Sequence, residues 1–283
     1  MSRVRAPLVA QFLYFVKLPV FFMNNWEAVL LGLIQGFTEF LPVSSSGHLE
    51  IAQFLLGFKE LDRYVMFNLI CHLGTLTAIF LVFYPQIKTT LTSSPKRFFQ
   101  IFLATLPLIP LIFILKPLKS IISQPAYLGP FFLISSLLLF LSLRPPINLP
   151  IPKKMKPWAD SLLIGLFQAA AIFPGISRSG ATISAAKILG WSSVEAIPFS
   201  FLLAIPAILG ASILEGVQLL RNPEETLITM SWITYSLAFL TSLITGYFAL
   251  NFLIRCFKNE RWIFFAWYCF GLGTILTLTL TFD

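Results

Sequence analysis

Two short stretches hold the residue types that could do chemistry. One reads QGFTEFLPVSSSGH from Gln35 to His48, and the other reads PGISRSGAT from Pro174 to Thr182. Gln35 and Glu39 are four apart, so on a helix they share a face. A carboxylate at membrane depth costs about 2.5–3.5 kcal/mol, so such a group is either functional or paired. Ser44, Ser45, Ser46 and Gly47 follow the helix-breaking Pro42. Serines and glycine opening a helix offer hydroxyls, free N–H groups and the positive dipole end, which together suit an anion. Ser45 and His48 are three apart, so the spacing predicts an imidazole within reach of a hydroxyl it could activate. In the second stretch Gly175 permits close backbone approach and Ser177 and Ser179 cap a following helix. Arg178 offers a planar fork matched to phosphate oxygens. The expected chemistry is binding of a phosphate-like anion with acid–base capability. Each feature also has a plainer reading: Glu39 and Arg178 as structural glue, and serine as an ordinary helix cap.

The remaining polar residues carry less. Lys187 is read as snorkelling to a surface, and Glu50, Glu195 and Glu215 as interfacial or structural. His72, within CHLGT, is read as a packed or supporting group. Cys71, Cys256 and Cys269 have no metal-like spacing and are read as buried hydrophobes.

The elements that must position these groups are duplicated. Residues 30–57 and 163–190 align without a gap, since Gly32 to Gly165 and Gly57 to Gly190 are both 133 residues apart. Each copy has two apolar halves too short to cross a bilayer, joined by a Pro/Ser/Gly centre, and irregular backbone at membrane depth must be buried in protein or line a wet cavity. Each is therefore expected to be a re-entrant helical hairpin. Six other apolar runs approach the roughly 20 residues a crossing needs, at about 65–84, 98–115, 127–143, 196–219, 230–250 and 262–280. The fold class expected is an all-α polytopic membrane protein of two inverted repeats, each a re-entrant hairpin plus three transmembrane helices. The repeats fall at about 26–143 and 159–283, in a single integral domain over 23–283. Residues 1–22 read as an N-terminal extension or a misplaced start, because Met23 precedes the first duplicated stretch closely.

Composition agrees. The 283-residue chain is 57% hydrophobic and 11% charged, with 30 Phe and 6 Trp and a mean hydropathy of +0.84. No water-facing surface could be assembled from it. Its net charge of +8 lies in loops and is topological, so nucleic acid is not an expected partner. Lys88, Lys96, Arg97, Arg144, Lys153, Lys154, Lys156, Arg255, Lys258 and Arg261 fall on one side. Lys59, Arg63, Lys116, Lys119 and Arg221 fall on the other, offset by Glu60, Asp62, Glu224 and Glu225. The first side is then cytoplasmic, and any spanning extension puts Arg3 and Arg5 there too.

The two stretches, in this order and at this separation, resemble the signatures of the undecaprenyl-diphosphatase family, the bacitracin-resistance type of integral membrane phosphatase. The resemblance covers residues from about Asn24 to the C-terminus. It implies hydrolysis of undecaprenyl diphosphate to the monophosphate and phosphate, recycling the carrier lipid of peptidoglycan synthesis and conferring bacitracin resistance. It implies a multi-pass protein of the bacterial cytoplasmic membrane with an outward-facing site. Glu39, Ser45, His48 and Arg178 become the expected catalytic group. Ser44, Ser46, Gly175, Ser177, Arg178, Ser179 and Thr182 become the expected phosphate-binding set. A divalent cation, Mg²⁺ or Ca²⁺, is implied, with Glu39 and Gln35 as its ligands; Gln35 leaves one fewer anionic ligand than a glutamate would. The expected partners are the lipid substrate, membrane lipid and a second copy of the chain. Two mechanisms stay open: Ser45 attacking phosphorus with His48 as base, or a cation on Glu39 with His48 activating a water. A polyprenyl-phosphate transporter or flippase is the rival reading, and a lipid-binding protein without turnover a weaker one.

Overall fold

A computed structural model describes residues 23–58, 64–115, 124–147, 151, 155–221, 230–258 and 262–280. The extension 1–22 lies outside the described residues. So do the loop charges Lys59, Glu60, Asp62, Arg63, Lys116, Lys119, Lys153, Lys154, Glu224, Glu225 and Arg261.

The described residues form helices and no strand. The helices are α1 (Asn25–Phe40), α2 (Ser45–Leu55), α3 (Val65–Val82), α4 (Tyr84–Thr92), α5 (Pro95–Thr105) and α6 (Leu108–Leu115). After a 3₁₀ turn at Pro125–Tyr127 come α7 (Leu128–Leu141), α8 (Lys156–Ala170), α9 (Arg178–Ile188), α10 (Ser193–Arg221), α11 (Trp232–Lys258) and α12 (Ile263–Leu280). Helix α1 opens on a capping box. Asn24 Oδ1 accepts from the Glu27 N–H at 2.9 Å, while Glu27 Oε2 accepts from the Asn24 N–H at 2.7 Å.

Among the described residues, four helices are long and apolar enough to cross a membrane: Val65–Val82, Ser193–Arg221, Trp232–Phe257 and Ile263–Leu280. The sequence predicts six runs of that kind, and two differ. Residues 98–115 are not one helix but α5 and α6, parted at Leu106 and Pro107. Proline has no N–H to continue the ladder, and the Leu106 and Ile109 N–H groups bond three residues back instead of four. The run near 127–143 is the shorter helical segment Pro125–Leu141. Helix α10 runs 29 residues through Pro198 and Pro206.

Small residues let these helices approach closely. A Cβ on Gly32 or Gly36 of α1 would meet Thr241 or Thr245 of α11, and one on Gly74 of α3 would meet Ser242 of the same helix. On the other side a Cβ on Gly165 of α8 would meet the Ala104 backbone of α5. Helix α1 thus packs on α11 and α8 on α5, while α7 packs on α12 and α3 on α10. Phe40, at the end of α1, is fully buried edge-on to Phe201 of α10 with centroids 5.6 Å apart. That contact fixes the end of α1, one residue beyond Glu39.

Candidate active site

The centre of the site is the carboxylate of Glu39, 6% exposed, in the last turn of α1. Its Oε1 accepts from Arg178 Nη2 at 2.5 Å. Its Oε2 accepts from Ser45 Oγ at 2.6 Å and from Gln35 Nε2 at 3.0 Å. Ser45 opens α2 and Arg178 opens α9, so two helix N-termini face one carboxylate. Arg178 Nη1 is buried with no hydrogen-bond partner. A buried guanidinium N–H without a protein acceptor is a donor that an anion can use.

The turn between α1 and α2 is held tightly. Ser44 is the non-glycine residue at positive φ among the described residues, at 68°, a conformation that costs on the order of 1–3 kcal/mol. Three bonds from outside its own peptide unit hold it there. Ser44 Oγ accepts from the Gly175 N–H at 3.1 Å and caps Gly47 N–H, and its carbonyl accepts from His48 Nδ1 at 2.7 Å. The second turn is tied to α7, since Ser135 Oγ donates to Gly175 O and accepts from the Ser177 N–H, both at 2.9 Å. Gly175 sits at φ 98°, where a Cβ would press on Phe131.

These bonds change three sequence expectations. His48 does not reach Ser45. Its Nδ1 is on the Ser44 carbonyl, its Nε2 is 2.7 Å from Tyr268 Oη, and its ring stacks on Tyr268. Within one turn, the carbonyl four residues back captures the ring before the hydroxyl three residues back can. Ser45 is bonded to Glu39 instead. Thr182 also points elsewhere: it is 1% exposed, donates to Arg178 O at 2.9 Å, and lies 2.6 Å from Ser200 Oγ on α10. Ser179 is buried and donates to Leu41 O at 3.2 Å, stitching the two turns together rather than facing a ligand.

A cavity of about 210 Å³ opens on the site, lined by Glu39, Ser44, Ser45, Ser46, Ser177 and Arg178. Its far wall is α10, with Ala207, Ala211, Ser212 and Glu215. His72 of α3 lines it as well, with Nδ1 2.9 Å from Gln35 Nε2 and 3.6 Å from Glu39 Oε2. The histidine beside the carboxylate is therefore the one the sequence reads as a packed or supporting group. A histidine within a long apolar helix was the available signal. Nothing in the spacing marks Tyr268, Ser135 or Glu215, whose places depend on α7, α10 and α12 closing around the turns.

A hydroxyl against an anchored carboxylate, beside an unsatisfied guanidinium donor, can attack an electrophile that carries negative oxygens. Comparison with known proteins gives the same class. Residues 28–275 match the family described as bacitracin resistance protein BacA. The chain is 52% identical over 256 residues to an undecaprenyl-diphosphatase of Protochlamydia amoebophila, covering 90% of this chain and 98% of that protein. It is 35% identical over 259 residues to one of Carboxydothermus hydrogenoformans, again covering 90% and 98%. It is 36% identical over 255 residues to one of Rhodopirellula baltica, covering 89% and 96%.

Proposed function

The chain belongs to the bacitracin resistance protein BacA family, and from that premise we propose that it is a hydrolase converting undecaprenyl diphosphate to undecaprenyl phosphate and inorganic phosphate. The observation that carries the mechanism is the Ser45 Oγ–H bond of 2.6 Å to a carboxylate whose other oxygen is held by Arg178. Ser45 Oγ attacks the terminal phosphorus and its proton passes to Glu39 Oε2. The bond from phosphorus to the bridging oxygen breaks, and the lipid monophosphate leaves with the electron pair and the proton held on Glu39. Water then attacks the phosphoserine with Glu39 as base, releasing phosphate and restoring the Ser45 hydroxyl. Arg178 Nη1 and the N–H groups opening α2 and α9 stabilise the charge that builds on the phosphoryl oxygens. His48 acts through Ser44, by holding the turn that presents Ser45.

A divalent cation fits this site as a substrate-linked ion. The described residues contain no cluster of three His, Cys, Asp or Glu that would cage one. Gln35 Oε1, though, is buried without a partner one helical turn from Glu39. One carboxylate, one carbonyl oxygen and the substrate's own phosphate oxygens suit Mg²⁺ or Ca²⁺. When bound, the ion supplies charge neutralisation on the diphosphate.

The wider architecture is read as a single integral domain over residues 23–283 of two inverted repeats, with α1–α2 and α8–α9 as re-entrant hairpins. The support is that exchanging α1, α2, α3, α5 and α7 for α8, α9, α10, α11 and α12 carries the α1–α11, α3–α11 and α1–α2 pairs onto α8–α5, α10–α5 and α8–α9. Matching bonds recur too, since Ser44 and Ser177 each cap the glycine three residues on, at 3.5 and 3.1 Å. The excess of Lys and Arg on one set of loops supports a site facing outward across the cytoplasmic membrane. A transporter reading is not favoured, because the relatives are phosphatases by name. Phosphate release from undecaprenyl diphosphate by the purified chain in detergent is the test. No gradient exists there to mimic turnover, and no release means no hydrolase.

A further inference from the structure

The chain of bonds from Glu39 to His72 fixes which nitrogen of His72 carries hydrogen. Gln35 is fully buried, and its Nε2 lies 3.0 Å from Glu39 Oε2 and 2.9 Å from His72 Nδ1. An amide nitrogen has two hydrogens, one for each neighbour. Turning the amide over would set its oxygen against the carboxylate, so Glu39 dictates the orientation of Gln35. Nδ1 of His72 must then accept, and the ring hydrogen resides on Nε2. The His72 side chain is 31% exposed and lines the cavity that holds Ser45 and Arg178. With Nδ1 occupied, Nε2–H is the ring's polar group left for a ligand there.

We infer that His72 is a further catalytic residue, donating its Nε2–H to a non-bridging phosphate oxygen of the diphosphate. The inference rests on the proposed hydrolysis and adds a donor from α3 to those of α2 and α9. It also gives the Gln35 position a chemical reason. A glutamate there would present only acceptor oxygens to Nδ1 and draw the ring hydrogen away from the cavity.

His72→Gln and His72→Asn separate this role from simple support. The glutamine amide nitrogen falls where Nε2 lies, whereas asparagine can replace only Nδ1 and its acceptance from Gln35. Both are measured for phosphate release from undecaprenyl diphosphate in detergent, alongside size-exclusion behaviour. The expected result is a kcat/KM within about tenfold of the unsubstituted protein for His72→Gln, with a further loss of about 10- to 100-fold for His72→Asn, the worth of one hydrogen bond to a charged group. The reverse order, or equal values, would overturn the assignment. A second measurement covers a variant that does not fold. In the unsubstituted protein labelled with ¹⁵N-histidine, His72 should carry its hydrogen on Nε2, and that resonance should shift with a methylene-bridged farnesyl diphosphonate. Hydrogen on Nδ1, or no shift at saturation, would overturn it as well. Absence of phosphate release by the unsubstituted protein would strike the enzymatic reading instead.

Discussion

Arg178 Nη2 and Glu39 Oε1 meet at 2.5 Å across 139 residues of chain, so the guanidinium of one helix–turn–helix segment orients the carboxylate of the other. The pair is mostly buried, with side chains 18% and 5% exposed. Removing either partner would strand a charge away from water. It leaves Glu39 Oε2 directed at Ser45 and Arg178 Nη1 without an acceptor.

Arg178→Lys keeps the charge and loses the fork. An ammonium can hold Glu39 or a phosphate oxygen but does not span both with fixed geometry. Turnover should fall by about 100-fold with the fold retained. Near-normal kcat/KM in the lysine protein would reduce Arg178 to a bulk charge.

Ser45→Ala tests the covalent step. If Ser45 attacks phosphorus, single-turnover hydrolysis should fall by more than about 10³-fold while the diphosphate still binds. If a water attacks instead, the loss is that of one hydrogen bond, about tenfold at most. Rapid-quench measurement with substrate binding followed in parallel decides between them.

Glu39→Gln removes the proton acceptor and the anionic oxygen that suits a cation. Activity should be lost, and the response to added Mg²⁺ or Ca²⁺ should flatten. A variant that keeps both its turnover and its cation titration would remove Glu39 from both roles.

His48→Ala should lower stability and turnover together, because His48 secures the strained Ser44 turn through the Ser44 carbonyl. The expected stability loss is about 1 kcal/mol, read as a lower melting temperature in detergent. Lost turnover with an unchanged melting temperature would identify a base instead of a brace.

The apolar helices and the pairing of Glu39 with Arg178 were legible in the sequence. Apolar runs, a duplicated Pro/Ser/Gly break, one acid and one arginine are local features, and a charge in such surroundings must find a partner. Glu39 and Arg178 did so. Which histidine faces the carboxylate was decided only by tertiary structure. The three-residue spacing of Ser45 and His48 fits a shared turn, but the Ser44 carbonyl and Tyr268 of the distant α12 claim both ring nitrogens of His48. His72 reaches Gln35 because Gly32, Gly36 and Gly74 let α1 and α3 settle closely on α11. The break at Leu106 and Pro107 was legible in kind, since proline lacks an N–H, but hydropathy alone read straight through it. Periodicity and hydropathy report what a side chain can bear, whereas the direction of each hydrogen bond depends on how helices far apart in sequence pack.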